Sequence, residues 1–128
     1  MGSNHRMAAE KLRLLLATGL LHGTLLAGQA DVLKAEIERQ PDGDFHIAVT
    51  VRHTDEGWNH FADRWEVIDP RGKIIAKRIL LHPHVDEQPF TRSLAGIRIL
   101  PTDTWVRIRA HDSLHGHGGR EVTLSVPH

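Results

Sequence analysis

From Asp31 onward, apolar and polar residues alternate with a period of two. FHIAVTVRH sends Phe45, Ile47, Val49 and Val51 to one side and His46, Thr50 and Arg52 to the other. That spacing keeps an apolar set on one face only in an extended strand, since a helix would scatter it around the axis. VLKAEIE (32 to 38) repeats the pattern, with Leu33, Ala35 and Ile37 set against Lys34, Glu36 and Glu38. FADRWEVI (61 to 68), KIIAKRILL (73 to 81), TRSLAGIRIL (91 to 100), WVRIRA (105 to 110) and EVTLSV (121 to 126) follow. Turn chemistry separates the runs: PDGD at 41 to 44, DPRG at 69 to 72 with proline second and glycine fourth, and PTDT at 101 to 104.

Seven short strands over residues 31 to 128 predict an all-β, seven-stranded antiparallel sandwich whose strand count and spacing suit an immunoglobulin-like arrangement. Ile47, Val49, Val51, Val67, Ile108, Val122 and Leu124 are the expected inward residues. The chain has no cysteine, so disulfides, thiolate-bound metals and cysteine nucleophiles are excluded. Sixteen basic residues balance sixteen acidic ones, which leaves no basic excess to gather against nucleic acid.

The first 30 residues read differently. Lys11 and Arg13 precede LLLATGLLHGTLLAG, and Gly28 and Ala30 are small residues placed before Asp31. A charged start, a short apolar run and a small-residue end describe a secretory signal peptide, with Asp31 expected to open the exported form. Met7 offers a second start. The organisation expected is a leader and N-terminal extension (1 to 30) and one sandwich domain (31 to 128), periplasmic or secreted. Once the leader is gone, no membrane association is expected.

The stretch ILPTDTWVRIRAHDSLHGHGGREVTLSV resembles the last third of a fibronectin type III domain. In that family a Leu-Pro turn leads to an aromatic, an alternating strand ending in alanine, a glycine-rich loop and a final strand. The matching residues are Leu100, Pro101, Thr104, Trp105, Arg107, Ile108, Arg109, Ala110, Gly116, Gly118 and Gly119, with Trp105 standing where the family has tyrosine. The resemblance implies a fold and no activity, because sandwich folds host many functions.

Eleven histidines are the compositional outlier. If consecutive strands run antiparallel, the connections at 53 to 60, 82 to 90 and 111 to 119 share one end of the sandwich. They read HTDEGWNH, HPHVDEQPF and HDSLHGHGG, and they hold His53, His60, His82, His84, His111, His115 and His117. Seven of the nine histidines from Asp31 onward thus fall in 26 residues, with Asp55, Glu56, Asp86, Glu87 and Asp112 beside them. Imidazole is the commonest metal ligand, and a set of nitrogen and oxygen donors without sulfur favours a divalent ion such as Cu(II) or Zn(II). Asp86, Glu87 and Asp112 are the candidate carboxylate ligands.

A weaker resemblance joins His115-Gly116 and NHFADRWEVI to superoxide reductases, which are immunoglobulin-like sandwiches with a site of four histidines and one cysteine around iron. Their late motif is Cys-x-x-His-Gly, and here Asp112 stands in place of the cysteine. The resemblance therefore implies an iron site without its axial sulfur. No G-x-S-x-G elbow or phosphate-cradling glycine loop is present, Ser113 has no base assigned to it, and no catalytic residues are expected. The second reading of the same end is an interaction module that grips another exported protein or peptide, with Trp58, Phe90 and Arg92 as anchors.

Overall fold

The computed structural model describes residues 16–22 and 28–128. Nine strands occur among these residues, and no helix: β1 (Leu16–Thr18), β2 (Leu20–His22), β3 (Asp31–Arg39), β4 (Phe45–Arg52), β5 (Ala62–Ile68), β6 (Ile74–Ile79), β7 (Phe90–Ile97), β8 (Trp105–Asp112) and β9 (Glu121–Ser125). They form two antiparallel sheets, one ordered β1-β3-β4-β7 and the other β2-β9-β8-β5-β6. The seven strands from β3 onward are the seven runs read from the sequence. β1 and β2 lie within the segment expected as a leader and pair with the outer edges of β3 and β9. Most of the leader, including Lys11 and Arg13, lies outside the described residues.

The core lies between the sheets. Ile47, Val49, Val51, Val67, Ile108, Val122 and Leu124 are fully buried, together with Trp65, Phe45 and Phe90. One register differs from the expected alternation. A β-bulge between Val32 and Lys34 places an extra residue in β3, so Val32 enters the core and Leu33, expected inside, is only half buried.

The turns at 40 to 44, 69 to 72 and 101 to 104 close one end. Asp69 caps its turn by accepting the Arg71 and Lys73 amides through Oδ1, and Gly72 donates back to the Asp69 carbonyl. The Arg71 guanidinium binds Asp103 with both terminal nitrogens, at 2.9 and 2.8 Å, and reaches Asp69 at 2.8 Å. The three histidine-bearing loops meet at the opposite end, as hydrogen bonds between them demonstrate. His84 N donates to Asp55 Oδ2 at 2.6 Å, His53 N donates to Gln88 Oε1 at 3.0 Å, and Ser113 N donates to the Phe61 carbonyl at 2.9 Å.

Candidate metal centre

His53 follows the last residue of β4 and keeps its alternation, so with Asp55 it points inward while Thr54 points out. Both side chains are completely buried. Asp55 is a junction: Oδ1 accepts from the His53 ring and from Ala62 N at 3.1 Å, while Oδ2 accepts from His84 N. From the other sheet, Asp112 ends β8 with its side chain at zero exposure. Its Oδ1 accepts the Leu114 and His115 amides, both at 2.7 Å, and its backbone exchanges two hydrogen bonds with Gly116. That turn needs a left-handed residue, which Gly116 supplies at φ +74°. Asp112 Oδ2 is left free to face the histidines.

Two rings converge on that oxygen. His53 Nε2 lies in hydrogen-bond contact with Asp112 Oδ2, and its Nδ1 contacts Asp55 Oδ1. His60, at the foot of the small turn 57 to 60, points Nε2 at the same oxygen from 2.8 Å and gives Nδ1 to Glu56. The two rings meet edge to face with centroids 4.8 Å apart. One ligand atom from each of His53, His60 and Asp112 falls within 4.8 Å of the other two, the one such group of three among the described residues. His60 is 12% exposed on its side chain, so the centre sits just beneath the surface.

The electrostatics favour positive charge here. Burial works to lower the His53 pKa, but the hydrogen bonds to Asp55 and Asp112 outweigh it and raise the value above 6.5. For His60 the hydrogen bond to Glu56 is the largest influence, and the pKa is again raised. Asp112 is held down to about 2: burial opposes ionisation, but the Leu114 and His115 amides and both histidines more than compensate. A carboxylate on each Nδ1 fixes that proton and turns Nε2 toward Asp112, the arrangement by which outer carboxylates orient metal-ligating histidines.

The remaining sequence-predicted residues separate into other groups. His115 lies at the rim, 40% exposed, with Nδ1 3.4 Å from Asp112 Oδ1 and its ring centroid 4.9 Å from that of His60. His84 is buried, stacks on Phe90 at 3.9 Å, and accepts from Arg92 through Nε2 at 3.0 Å. Its pKa is lowered, first by burial and then by the Arg92 charge. His82 is exposed beside it and donates Nδ1 to the Pro83 carbonyl. Asp86 is exposed, and Glu87 pairs with Arg92 at 2.9 Å.

His111 and His117 form a third group on the outer face of the β8 sheet. His111 Nδ1 meets Asp63 Oδ1 at 2.6 Å, and His117 Nε2 approaches Glu66 Oε1 at 3.1 Å. Arg64 and Arg109 each bind Glu66 at 2.7 Å, so this face already carries its own cations. Of the interface anchors, Trp58 is 69% exposed, Phe90 is 1% exposed and inside the core, and Arg92 is committed to Glu87 and His84. A ring in the core has no surface to offer a partner.

Asp55 and Glu56, which the sequence sets beside the histidines without marking a part for them, thus hold the two rings from behind. The signal was there in His53-x-Asp55, since residues two apart in extended chain share a face.

A curated protein from Halomicrobium mukohataei named "Putative lipoprotein" is 33% identical to this chain over 98 residues, covering 77% of the chain and 48% of that protein. The chain spans about half the length of the curated relative it matches. No family model matches the chain, and no solved structure does.

Proposed function

We propose that this protein is an exported sandwich that binds one divalent transition ion, Zn(II) or Cu(II), through His53 Nε2, His60 Nε2 and Asp112 Oδ2. The observation that carries the reading is the convergence of two imidazole nitrogens on one carboxylate oxygen, each ring being held from behind by its own carboxylate. The site fits the ion's charge. A divalent ion on two neutral imidazoles leaves the same net charge among these side chains as two imidazoliums do, so the ion replaces two protons and Asp55 and Glu56 keep their partners. Nitrogen and carboxylate donors without sulfur suit Zn(II) and Cu(II). Transport or buffering of the ion needs no further catalytic group.

Export is supported by the charged start and apolar run before Gly28, and by the lipoprotein name of the Halomicrobium relative. The strand order β3-β4-β7 against β9-β8-β5-β6 supports the fibronectin III-like reading of the sandwich. A second reading, a loop-end interaction surface, is favoured by Trp58 and Leu114, which stand 69% and 65% exposed in the loops that carry His60 and His115.

Calorimetric titration of tag-free, EDTA-treated protein tests the metal reading. One equivalent of Zn(II) or Cu(II) should bind, and His53→Ala and His60→Ala should each weaken binding by more than the roughly 10- to 100-fold that loss of an outer partner costs. Equal binding by wild type and both variants would overturn it in favour of the interaction surface.

A further inference from the structure

We propose that the backbone carbonyl of Gly28 is the fourth ligand of this centre, which closes a tetrahedral set of two nitrogens and two oxygens and favours zinc over Cu(II). The inference rests on the metal reading above and extends it to a segment that no side-chain pattern marks. Gly28 O lies 3.4 Å from His60 Nε2. For bonds of about 2.0 to 2.1 Å, neighbouring ligands of a tetrahedral ion stand about 3.3 to 3.4 Å apart. Relative to His60 Nε2 the oxygen therefore already sits at ligand spacing, whereas Asp112 Oδ2, at 2.8 Å from the same nitrogen, is at hydrogen-bond spacing and must open slightly when the proton leaves.

The position of that carbonyl is built in from two directions. Gly28 has φ +80°, and a Cβ there would press within 3.3 Å of the His115 ring. Across from it, the glycines before β9 give the segment its seat: a Cβ on Gly119 would lie 2.0 Å from the Ala30 carbonyl oxygen, and one on Gly118 2.9 Å from Gln29 Oε1. Arg120 N donates to Asp31 Oδ1 at 2.7 Å, and Val32 N donates to the Arg120 carbonyl at 2.8 Å. His115 is the competing donor, but its Nδ1 faces Oδ1 of Asp112, the oxygen occupied by backbone amides. A neutral carbonyl also adds no further negative charge to a pocket that already holds Asp55, Glu56 and Asp112. Tetrahedral geometry suits Zn(II), while Cu(II) prefers a tetragonal arrangement. A fourth ligand at Gly28 moves the first residue of the exported form from the expected Asp31 to Gly28 or earlier.

Gly28-Gln29 is the one Gly-Gln pair in the sequence, so full-length protein carrying 13C at glycine carbonyls and 15N in glutamine amides gives a single correlated signal for this bond. The probe is 113Cd(II) in place of zinc, with histidine 15N spectra recorded on a parallel sample. The proposal expects the Gly28 carbonyl signal to move and to be split by cadmium, along with the Nε2 signals of His53 and His60. Splitting at the histidines with an unsplit Gly28 carbonyl overturns the fourth ligand and leaves the metal centre standing. Absence of splitting at the histidines overturns the centre and the fourth ligand with it.

Discussion

His53 is the residue on which the centre turns, because both of its ring nitrogens are committed to buried carboxylates. Removing it leaves Asp55 and Asp112 facing a void with no positive charge between them. Breaking a buried pair from one side costs about 3 to 5 kcal/mol. His53→Ala should therefore lose a stability of that order in urea denaturation with EDTA present, and a loss below about 1 kcal/mol would contradict the charge arrangement. The pH dependence follows from the same contacts. His53 and His60 have pKa values raised above 6.5, so their contribution is complete below 6.5 and is lost as pH rises through the higher folded values. Asp112 and Glu66 are held down to about 2, so theirs is complete above the ordinary carboxylate range and is lost as pH falls toward 2. Without metal, the protein should melt at a lower temperature at pH 9 than at pH 6. Added Zn(II) should reverse that order, since it needs no protons at Nε2, and thermal melts at the two pH values with and without EDTA check it.

At the scale of the element, strand length decides which histidines meet. The sequence made the strands legible because alternation is a property of neighbours, and it made the shared loop end legible because antiparallel connection order follows from strand count. It did not reveal that β8 continues to Asp112. With His111 and Asp112 both inside a strand, alternation sends them to opposite faces, so His111 joins Asp63 outside while Asp112 joins His53 inside. The bulge at Val32 was equally hidden, since an extra residue leaves no mark in a pattern of apolar letters. Two predictions belong here. His111→Ala and His117→Ala should leave the metal affinity within about twofold of wild type by calorimetry, as expected of sites that do not share ligands. Gly119→Ala has no room beside the Ala30 carbonyl, so it should shift residues 28 to 31 and lower the melting temperature more than Gly43→Ala, whose Cβ would meet nothing within 4 Å. Both positions are read in one thermal series. Gly43 is itself left-handed, so its substitution carries a strain cost of its own, and a larger loss at Gly119 reports the packing.

The two ends of the sandwich are built differently. Three tight turns and the Arg71 clamp on Asp69 and Asp103 close one end, where every charged group in the clamp already has its partner. The other end brings three loops and both sheets together on a pair of histidines. The rigid layer beneath them is the buried core that includes Ile108, and Ile108→Ala should cost about 2 to 5 kcal/mol in chemical denaturation. Because β4 leads to His53 and β8 ends on Asp112, an ion bound at this end would tie the two sheets together. Binding to the folded state alone would stabilise it by about 2.7 kcal/mol at a hundredfold excess over Kd. Diffraction from zinc-soaked crystals, recorded across the zinc absorption edge, identifies the ligands by position. One strong anomalous peak is expected about 2.0 to 2.2 Å from His53 Nε2, His60 Nε2 and Asp112 Oδ2. A peak seated instead at His82 and His84 or at His111 and His117, or none at this end of the sandwich, would rule out this ligand set.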